Sequence, residues 1–292
     1  MDQAESLRNI IKQQEQKQVS SSRVITVTSG KGGVGKSNTA INLALQFKRM
    51  GKRVIILDAD FGLANIEVMF GVIPQYNLSD IMYKGKELKE IIMQGPEGVG
   101  FISGGSGIAK MVNLDSEQIK RLVYKMAELE KMADVIIIDT GAGIAPSVLE
   151  FVAASAEVIL VTTPEPTSIT DAYALLKALN MFPGFERNDT HIRVLCNRVN
   201  SENEGQILYE KMSMLVDRFL NINLSMLGCI PQDYLVTKSV MKQKPVSIMY
   251  PNSAASKAYE AAAKNLEFHN DYGQSQKIGI GKFFVNIFKR KR

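Results

Sequence analysis

Residues 30–37 read Gly30-Lys31-Gly32-Gly33-Val34-Gly35-Lys36-Ser37, a glycine-rich segment that ends in a lysine and a serine. It fits the phosphate-loop pattern G-x-x-x-x-G-K-[ST], follows an apolar β-branched run and opens a helical pattern. Its glycines let backbone N–H groups turn toward a β-phosphate, and the helix N-terminus adds the positive end of its dipole. The alternative, a glycine-rich turn without a ligand, does not account for this strand–loop–helix context. We therefore predict a nucleotide-binding loop, completed by Asn38, in which Lys36 contacts the β- and γ-phosphates and Ser37 binds Mg²⁺.

Short apolar runs alternate with longer helical patterns on both sides of this loop. Continuous β-branched strands between helices are typical of a parallel sheet that is covered on both faces. The sequence therefore predicts an α/β fold with a doubly wound, mostly parallel sheet flanked by helices. The predicted strands are residues 24–28, 54–58, 135–139, 158–163, 193–197 and 224–230.

Lys31 makes the loop more specific. A lysine at the second loop position lies too far round the turn to serve its own γ-phosphate easily, although it could also be a solvated surface charge. The form K-G-G-x-G-K-[ST] resembles the deviant Walker A motif of the MinD/ParA family of P-loop ATPases. This resemblance implies that ATP joins two protomers, because the lysine reaches the partner's nucleotide and acts there as an arginine finger does elsewhere.

Two carboxylates, Asp58 and Asp60, end the second predicted strand. The carboxyl end of a strand is the rim where ligands bind in open α/β sheets. The alternative is a pair of solvated acids. By resemblance this segment is switch I: Asp60 would orient the attacking water, and Asp58 would support Mg²⁺ through its water shell. The implied catalytic residues are then Lys31, Lys36 and Asp60.

The run 135–139 is a Walker B pattern, an apolar strand that ends in a carboxylate, Asp139. Such a carboxylate contacts Mg²⁺ directly or through water, so the predicted metal set is Ser37, Asp58 and Asp139. Residues 140–143 would be switch II. Gly141 stands where the family more commonly has proline, which leaves the rigidity of this switch open.

Asn197-Arg198-Val199-Asn200 resembles the guanine-reading pattern N-K-x-D, but its last residue is an amide. Guanine's donors require a carboxylate there, so adenine is favoured, with Asn197 and Arg198 as candidate contacts. By family resemblance, Pro231, Gln232 and Asp233 line the same pocket. Backbone contacts could dominate this specificity instead.

Cysteine usage excludes some relatives. Cys196 and Cys229 each follow an apolar run, and we expect reduced core thiols. Related P-loop proteins that hold an iron–sulfur cluster between protomers need closely spaced cysteines, which this sequence lacks.

The net charge of +5 is concentrated in the last sixteen residues. Residues 277–292 hold six lysines and arginines and no acid, so 29 basic residues face 30 acidic ones in the rest of the chain. A near-neutral body argues against a broad DNA-binding face, so DNA is an unlikely partner. Neither a signal peptide nor an apolar run of about 18 residues occurs, so we expect a cytoplasmic protein.

The C-terminal tail, residues 277–292, follows a polar linker at residues 269–276. Its apolar residues recur at helical spacing beside basic ones, which is typical of a helix in an anionic membrane interface. The alternative is a helix packed on the protein's own core. The predicted membrane contacts are Ile280, Phe283, Phe284, Ile287 and Phe288.

Residues 1–22 precede the ATPase domain, predicted at residues 23–268. Asp2-Gln3-Ala4-Glu5-Ser6-Leu7-Arg8 resembles the D-Q-A-x-x-L-R segment of the FlhG (YlxH) family, MinD-type regulators of flagellar number and placement. The resemblance implies that Asp2, Gln3, Ala4, Leu7 and Arg8 contact the signal-recognition-type GTPase FlhF and stimulate it. The alternative is a disordered polar leader.

The sequence thus predicts a Mg²⁺-dependent ATPase that dimerises on ATP, attaches to the inner face of the cell membrane and regulates flagella. Flagellar switch-ring (C-ring) proteins are further implied partners. Two rivals remain: a ParA-type DNA segregation ATPase, and a nucleotide-gated scaffold with little turnover.

Overall fold

A computed structural model of the chain describes residues 22–60, 65–105, 116–183, 185–268 and 279–289. Within them, one sheet of eight strands has the order β3-β4-β2-β5-β1-β6-β7-β8. All neighbouring pairs are parallel except β3 and β4, which are antiparallel. The strands are β1 (Arg23–Ser29), β2 (Val54–Ala59), β3 (Met93–Gln94), β4 (Gly100–Ser103), β5 (Val135–Ala142), β6 (Glu157–Thr162), β7 (His191–Val199) and β8 (Leu224–Pro231).

Helices connect these strands and cover both faces of the sheet. The helices before the fifth strand are α1 (Lys36–Arg49), α2 (Asn65–Phe70), α3 (Leu78–Tyr83), α4 (Leu88–Ile91) and α5 (Ser116–Ala127). The later helices are α6 (Pro146–Ala154), α7 (Pro166–Asn180), α8 (Glu202–Leu220), α9 (Tyr234–Met241), α10 (Val246–Met249), α11 (Ala254–Phe268) and α12 (Ile280–Lys289). Short 3₁₀ turns lie at Pro96–Gly98 and Glu128–Lys131.

The predicted fold class is confirmed, because each of the six predicted runs is a strand of this sheet. β3 and β4 were missed. β4 has only four residues and begins with Gly100, and β3 has two. Segments this short do not show the run of β-branched residues that distinguishes a strand from a loop in the sequence. β4 forms because it pairs with β2, which is distant in the chain. β3 forms because it pairs with β4.

The C-terminal helix α12 packs on the protein's own core. Its apolar side chains are buried among those of α5, α6 and the 3₁₀ turn Glu128–Lys131. The ring centroid of Phe283 lies 5.7 Å from that of Phe151 in α6. The residues expected to contact the membrane are thus covered by protein in this structure: Ile280, Phe283, Phe284, Ile287 and Phe288. Burial on the core satisfies the same apolar stripe in this structure, and the membrane contact stays a prediction.

Several expected segments lie outside the described residues. They are the GTPase-contacting residues Asp2, Gln3, Ala4, Leu7 and Arg8, and the linker 269–276. Among the helices that are described, none has the length and apolarity needed to cross a bilayer.

Candidate nucleotide site

The phosphate loop joins β1 to α1 at the carboxyl edge of the sheet. Gly35 precedes α1 with φ +97°, a left-handed conformation that glycine adopts without strain. The first turn of α1 contains no acidic residue and no side chain caps it. Its N–H groups and its positive dipole end therefore remain available to an anion, as phosphate binding requires.

Two glycines of the loop are fixed by close packing as well as by conformation. A Cβ atom on Gly30 would overlap the backbone of Asp171 and Ala172 in α7. A Cβ atom on Gly35 would overlap the side-chain amide of Asn197 at the end of β7. The loop is thus held between α7 and β7, which limits its movement before any nucleotide arrives.

The loop lysine and the Walker B carboxylate form a buried ion pair. Lys36 Nζ donates to Asp139 Oδ1 at 2.8 Å, and the side chains are 7% and 0% exposed. Burial strongly raises the pKa of Asp139, while the charge of Lys36 opposes this rise. The lysine therefore neutralises a carboxylate that would otherwise be costly to bury, and it lies where it can exchange this partner for a phosphate.

The second oxygen of Asp139 fits the expected metal. Oδ2 is buried and makes no hydrogen bond to the described residues, although the nearby Ser37 hydroxyl lowers the pKa of this carboxyl. A buried carboxylate oxygen without a donor, next to a hydroxyl, matches the all-oxygen ligands that Mg²⁺ prefers. Ser37 and Asp139 would hold the ion, as the sequence predicted for them.

Asp58 lies beside Asp139 in the neighbouring strand, where the two residues are paired in register. Burial raises the pKa of Asp58 to about 7, and the charge of Asp139 adds to the effect. Its oxygens accept from the backbone N–H groups of Asp60 at 3.1 Å and Ile66 at 3.4 Å. Asp58 thus adds a second carboxyl group beside Asp139 and accepts a hydrogen bond from the start of α2.

Asp60 follows β2 and faces switch II. Its Oδ2 accepts from the Asn65 side chain at 3.3 Å, and its Oδ1 lies 3.8 Å from where a Cβ atom of Gly141 would be. Its charge also raises the pKa of Asp139. Asp58, Asp60 and Asp139 therefore lie at the same edge of the sheet, while switch I residues 61–64 lie outside the described residues.

Asn197 holds the phosphate loop in this structure. Its Nδ2 donates to the carbonyl oxygen of Val34 at 2.7 Å, and its side chain is buried. The sequence suggested a base contact for Asn197, and that contact stays a prediction. The next residue, Arg198, is exposed and has φ +59°, a strained backbone for a residue with a side chain.

The three residues assigned to the base pocket after β8 have mainly structural partners. Both carboxylate oxygens of Asp233 are used: one caps α9 through the N–H of Leu235 at 2.9 Å, and the other accepts from Ala255 at 3.2 Å. The N–H of Gln232 donates to the carbonyl oxygen of Val199 at 2.8 Å, and Pro231 ends β8. Exposed Gln232 is therefore the member of this set whose side chain can reach a ligand.

The side chain of Lys31 contacts the start of α7. Its Nζ lies 3.0 Å from Glu165 Oε2 and 2.8 Å from Thr167 Oγ1, and its side chain is 37% exposed. Sequence reasoning missed Glu165 and Thr167, although both follow the apolar strand β6 at the same carboxyl edge. That position after a strand is the signal that could have identified them.

The comparisons agree with this geometry. The family model ParA, described as NUBPL iron-transfer P-loop NTPase, matches residues 20–267. The chain is 44% identical over 84% of its length to the antiactivator FleN of Pseudomonas aeruginosa, of which it covers 86%. It is 34% identical over 91% of its length to the flagellum site-determining protein YlxH of Helicobacter pylori, of which it covers 90%.

Solved structures share the fold. The MinD cell division protein in the MinC:MinD complex of Aquifex aeolicus superposes with a TM-score of 0.67 at 22% identity, over 84% of this chain and 96% of that one. MinD of Pyrococcus horikoshii complexed with Mg-ADP gives a TM-score of 0.65 at 22% identity, over 85% of this chain and 97% of that one.

In the described part of the chain, no group of three or more His, Cys, Asp or Glu side chains is placed to hold a metal ion.

Proposed function

The chain belongs to the ParA/MinD family of P-loop ATPases, and we propose that it uses ATP to assemble a membrane-bound dimer that controls the number and placement of flagella. The flagellar role is supported by the two relatives, an antiactivator and a flagellum site-determining protein, which match most of the chain. These relatives support the regulation of flagellar number by a MinD-type ATPase.

One observation carries the dimer: the position of Lys31. This lysine is partly exposed at the rim of the loop and is held by Glu165 and Thr167, outside the site that Lys36 occupies. A cation in this position is suited to the nucleotide of a second protomer that docks on the same edge. The surface ion pair with Glu165 contributes only about 0–1 kcal/mol, so it does not prevent exchange for a phosphate.

The chemistry follows from the residues of the site. When ATP enters, Lys36 exchanges Asp139 for the β- and γ-phosphates, which frees Asp139 Oδ1. Ser37 and Asp139 would hold Mg²⁺, which would neutralise the negative charge that develops on the phosphate oxygens. Asp60 orients the attacking water, and Lys31 of the partner protomer stabilises the negative charge on the transferring group. Gly141, next to Asp60, allows switch II to rearrange after phosphate is lost.

The tail is the proposed membrane contact. In this structure its apolar face is covered by the core, so membrane binding requires the tail to leave the body. One released tail binds weakly, because ordering its residues opposes the burial of its side chains. Two tails on one dimer bind by avidity, which links attachment to ATP.

The N-terminal segment, residues 1–22, is the proposed activator of an FlhF-type GTPase, with Gln3 at the catalytic site and Leu7 and Arg8 as docking contacts. Switch-ring proteins are the further proposed partners. A synthetic peptide of residues 1–22 should raise the GTP hydrolysis rate of the GTPase, and a Gln3→Ala peptide should not. An unchanged rate with the wild-type peptide would remove this part of the proposal.

The dimer is tested by light scattering after size exclusion, with ATP, ADP or no nucleotide, each with and without anionic vesicles. We expect a dimer with Mg²⁺ and ATP but not with ADP or without nucleotide. Binding to vesicles should occur under the conditions that give the dimer. Asp60→Ala should abolish turnover and trap the ATP dimer, whereas a scaffold with little turnover would be unaffected. Salt-dependent DNA binding by the dimer would favour the segregation ATPase instead.

A further inference from the structure

The tail helix α12 has no N-terminal cap of its own. The residue before it is Gly279, which has no side chain to accept from the first turn. The first hydrogen bond inside the helix runs from the N–H of Phe283 to the carbonyl oxygen of Gly279 at 3.0 Å. The N–H groups before Phe283 have no partner inside the helix and need one from elsewhere.

Glu130, from the body of the protein, supplies one partner. Its Oε1 accepts from the N–H of Gly281 at 3.2 Å, across 151 residues of chain. Glu130 lies on the 3₁₀ turn after α5, is partly buried and makes no ion pair with another described residue. Its burial raises the pKa of the carboxyl, while the hydrogen bond from Gly281 opposes that rise. The negative charge also lies at the positive end of the α12 dipole, which favours it there.

The two glycines of the tail match this contact. A Cβ atom on Gly279 would overlap the Glu130 carboxylate, and a Cβ atom on Gly281 would lie 3.0 Å from Cβ of Ala127 in α5. The first turn of α12 therefore approaches the body as closely as a backbone can. A helix that only lies in a bilayer interface needs neither these glycines nor Glu130, and glycine lowers its helix propensity.

We propose that Glu130 is a latch: its carboxylate oxygen caps the first turn of α12, and the tail leaves the body only when this contact breaks. The role of the released tail rests on the proposed membrane function, but the latch itself is a property of the free protein. Breaking it removes the cap from the helix and leaves the Gly281 N–H without its partner. Release is thereby linked to loss of order in the first turn.

The test uses the full chain without nucleotide or lipid and compares Glu130→Ala with Glu130→Gln. Hydrogen exchange of the amides in residues 279–289 reports how often the tail opens. We expect the alanine variant to exchange about tenfold faster, because the buried Gly281 N–H loses its acceptor. The glutamine variant should stay near wild type, because its amide oxygen still accepts. Glu128→Ala, on the same 3₁₀ turn, is the matched control and should exchange as wild type does.

Exchange in β5 monitors the fold, so a general loss of stability is distinguished from opening of the tail. Unchanged tail exchange in Glu130→Ala would overturn the latch, and so would equally fast exchange in the glutamine variant. Sedimentation with phosphatidylglycerol-containing vesicles is the second measurement, and Glu130→Ala should bind them without ATP more than wild type does. Fast tail exchange without added vesicle binding would support the latch and contradict the membrane role.

Discussion

Asn197 Nδ2 donates to the carbonyl oxygen of Val34 at 2.7 Å, so the end of β7 holds the phosphate loop in place. The two residues are 163 positions apart, and a side chain on Gly35, next to Val34, would collide with the amide. The hydrogen bond is buried, and a net contribution of about 1 kcal/mol is expected from such a bond. The loop's shape therefore depends on a strand that is distant from it in the sequence.

Asn197→Ala should weaken binding of ATP and of ADP alike, by about fivefold to tenfold, because the loop loses one of its supports. A fluorescent nucleotide analogue measures both affinities by titration. Asn200→Ala is the control: within the described part of the chain its amide donates to Glu204 of α8, and the variant should bind nucleotide as wild type does. Equal affinities in wild type and Asn197→Ala would show that the loop keeps its shape without this bond.

What the sequence predicted correctly is local. Lys36 and Ser37 belong to one motif, and Asp139 ends the apolar run 135–139, so local patterns alone place these residues at one edge of the sheet. Asn197 was expected to contact the base, but no sequence pattern indicates that its amide donates a hydrogen bond to a carbonyl oxygen of the loop. Pairs of this kind, like the contact between Lys31 and Glu165, depend on which elements the fold brings together.

The tail shows the same limit in another way. An apolar stripe with basic flanks is satisfied equally by lipid and by a groove of the same protein, since both remove apolar surface from water. Periodicity therefore predicted the helix and its buried face but not what covers that face. The pair of glycines at positions 279 and 281 is the signal in the sequence that favours close packing on protein.

Lys31→Ala should leave nucleotide binding by the single protomer nearly unchanged and abolish the ATP-dependent dimer. Among the described residues, the side chain of this lysine contacts Glu165 and Thr167 at the surface, so its removal affects the free protein little. Light scattering with Mg²⁺ and ATP measures the dimer, and titration measures the affinity. Lys211→Ala, an exposed lysine of α8, serves as the control. A Lys31→Ala dimer of normal stability would contradict the role in trans.

Asp58 should make the nucleotide-free protein less stable as the pH rises from 5 to 8. Its pKa is about 7 in the folded protein, against an ordinary value of 3.8 for the carboxyl, so the folded state holds this proton more tightly. The stabilisation is fully present below about pH 4 and is lost as the pH rises through 7, with an upper limit of about 4 kcal/mol. Chemical unfolding at several pH values measures the slope.

Asp58→Asn should flatten this dependence, because an amide does not titrate. Asp134→Asn is the control with the opposite sign: Arg53 lowers the pKa of Asp134, so its contribution is already constant above pH 5. A wild-type slope that persists in Asp58→Asn would assign the titration to other groups, among them Asp139, whose pKa burial also raises.

Phe283→Ala should release the tail and, unlike loss of the Glu130 contact, should weaken membrane binding too. Phe283 is fully buried against Phe151 in the docked helix, and truncation of such a side chain typically costs about 3–5 kcal/mol. The loss of stability measured on the whole protein is limited by the free energy of docking, because the helix can leave while the domain stays folded. In the bilayer interface the same ring contributes burial that alanine lacks.

Hydrogen exchange in residues 279–289 of Phe283→Ala should therefore rise while its vesicle affinity falls. Lys282→Ala, on the exposed side of the helix, should leave exchange unchanged. Normal vesicle affinity of Phe283→Ala would show that this face of the tail does not enter the membrane.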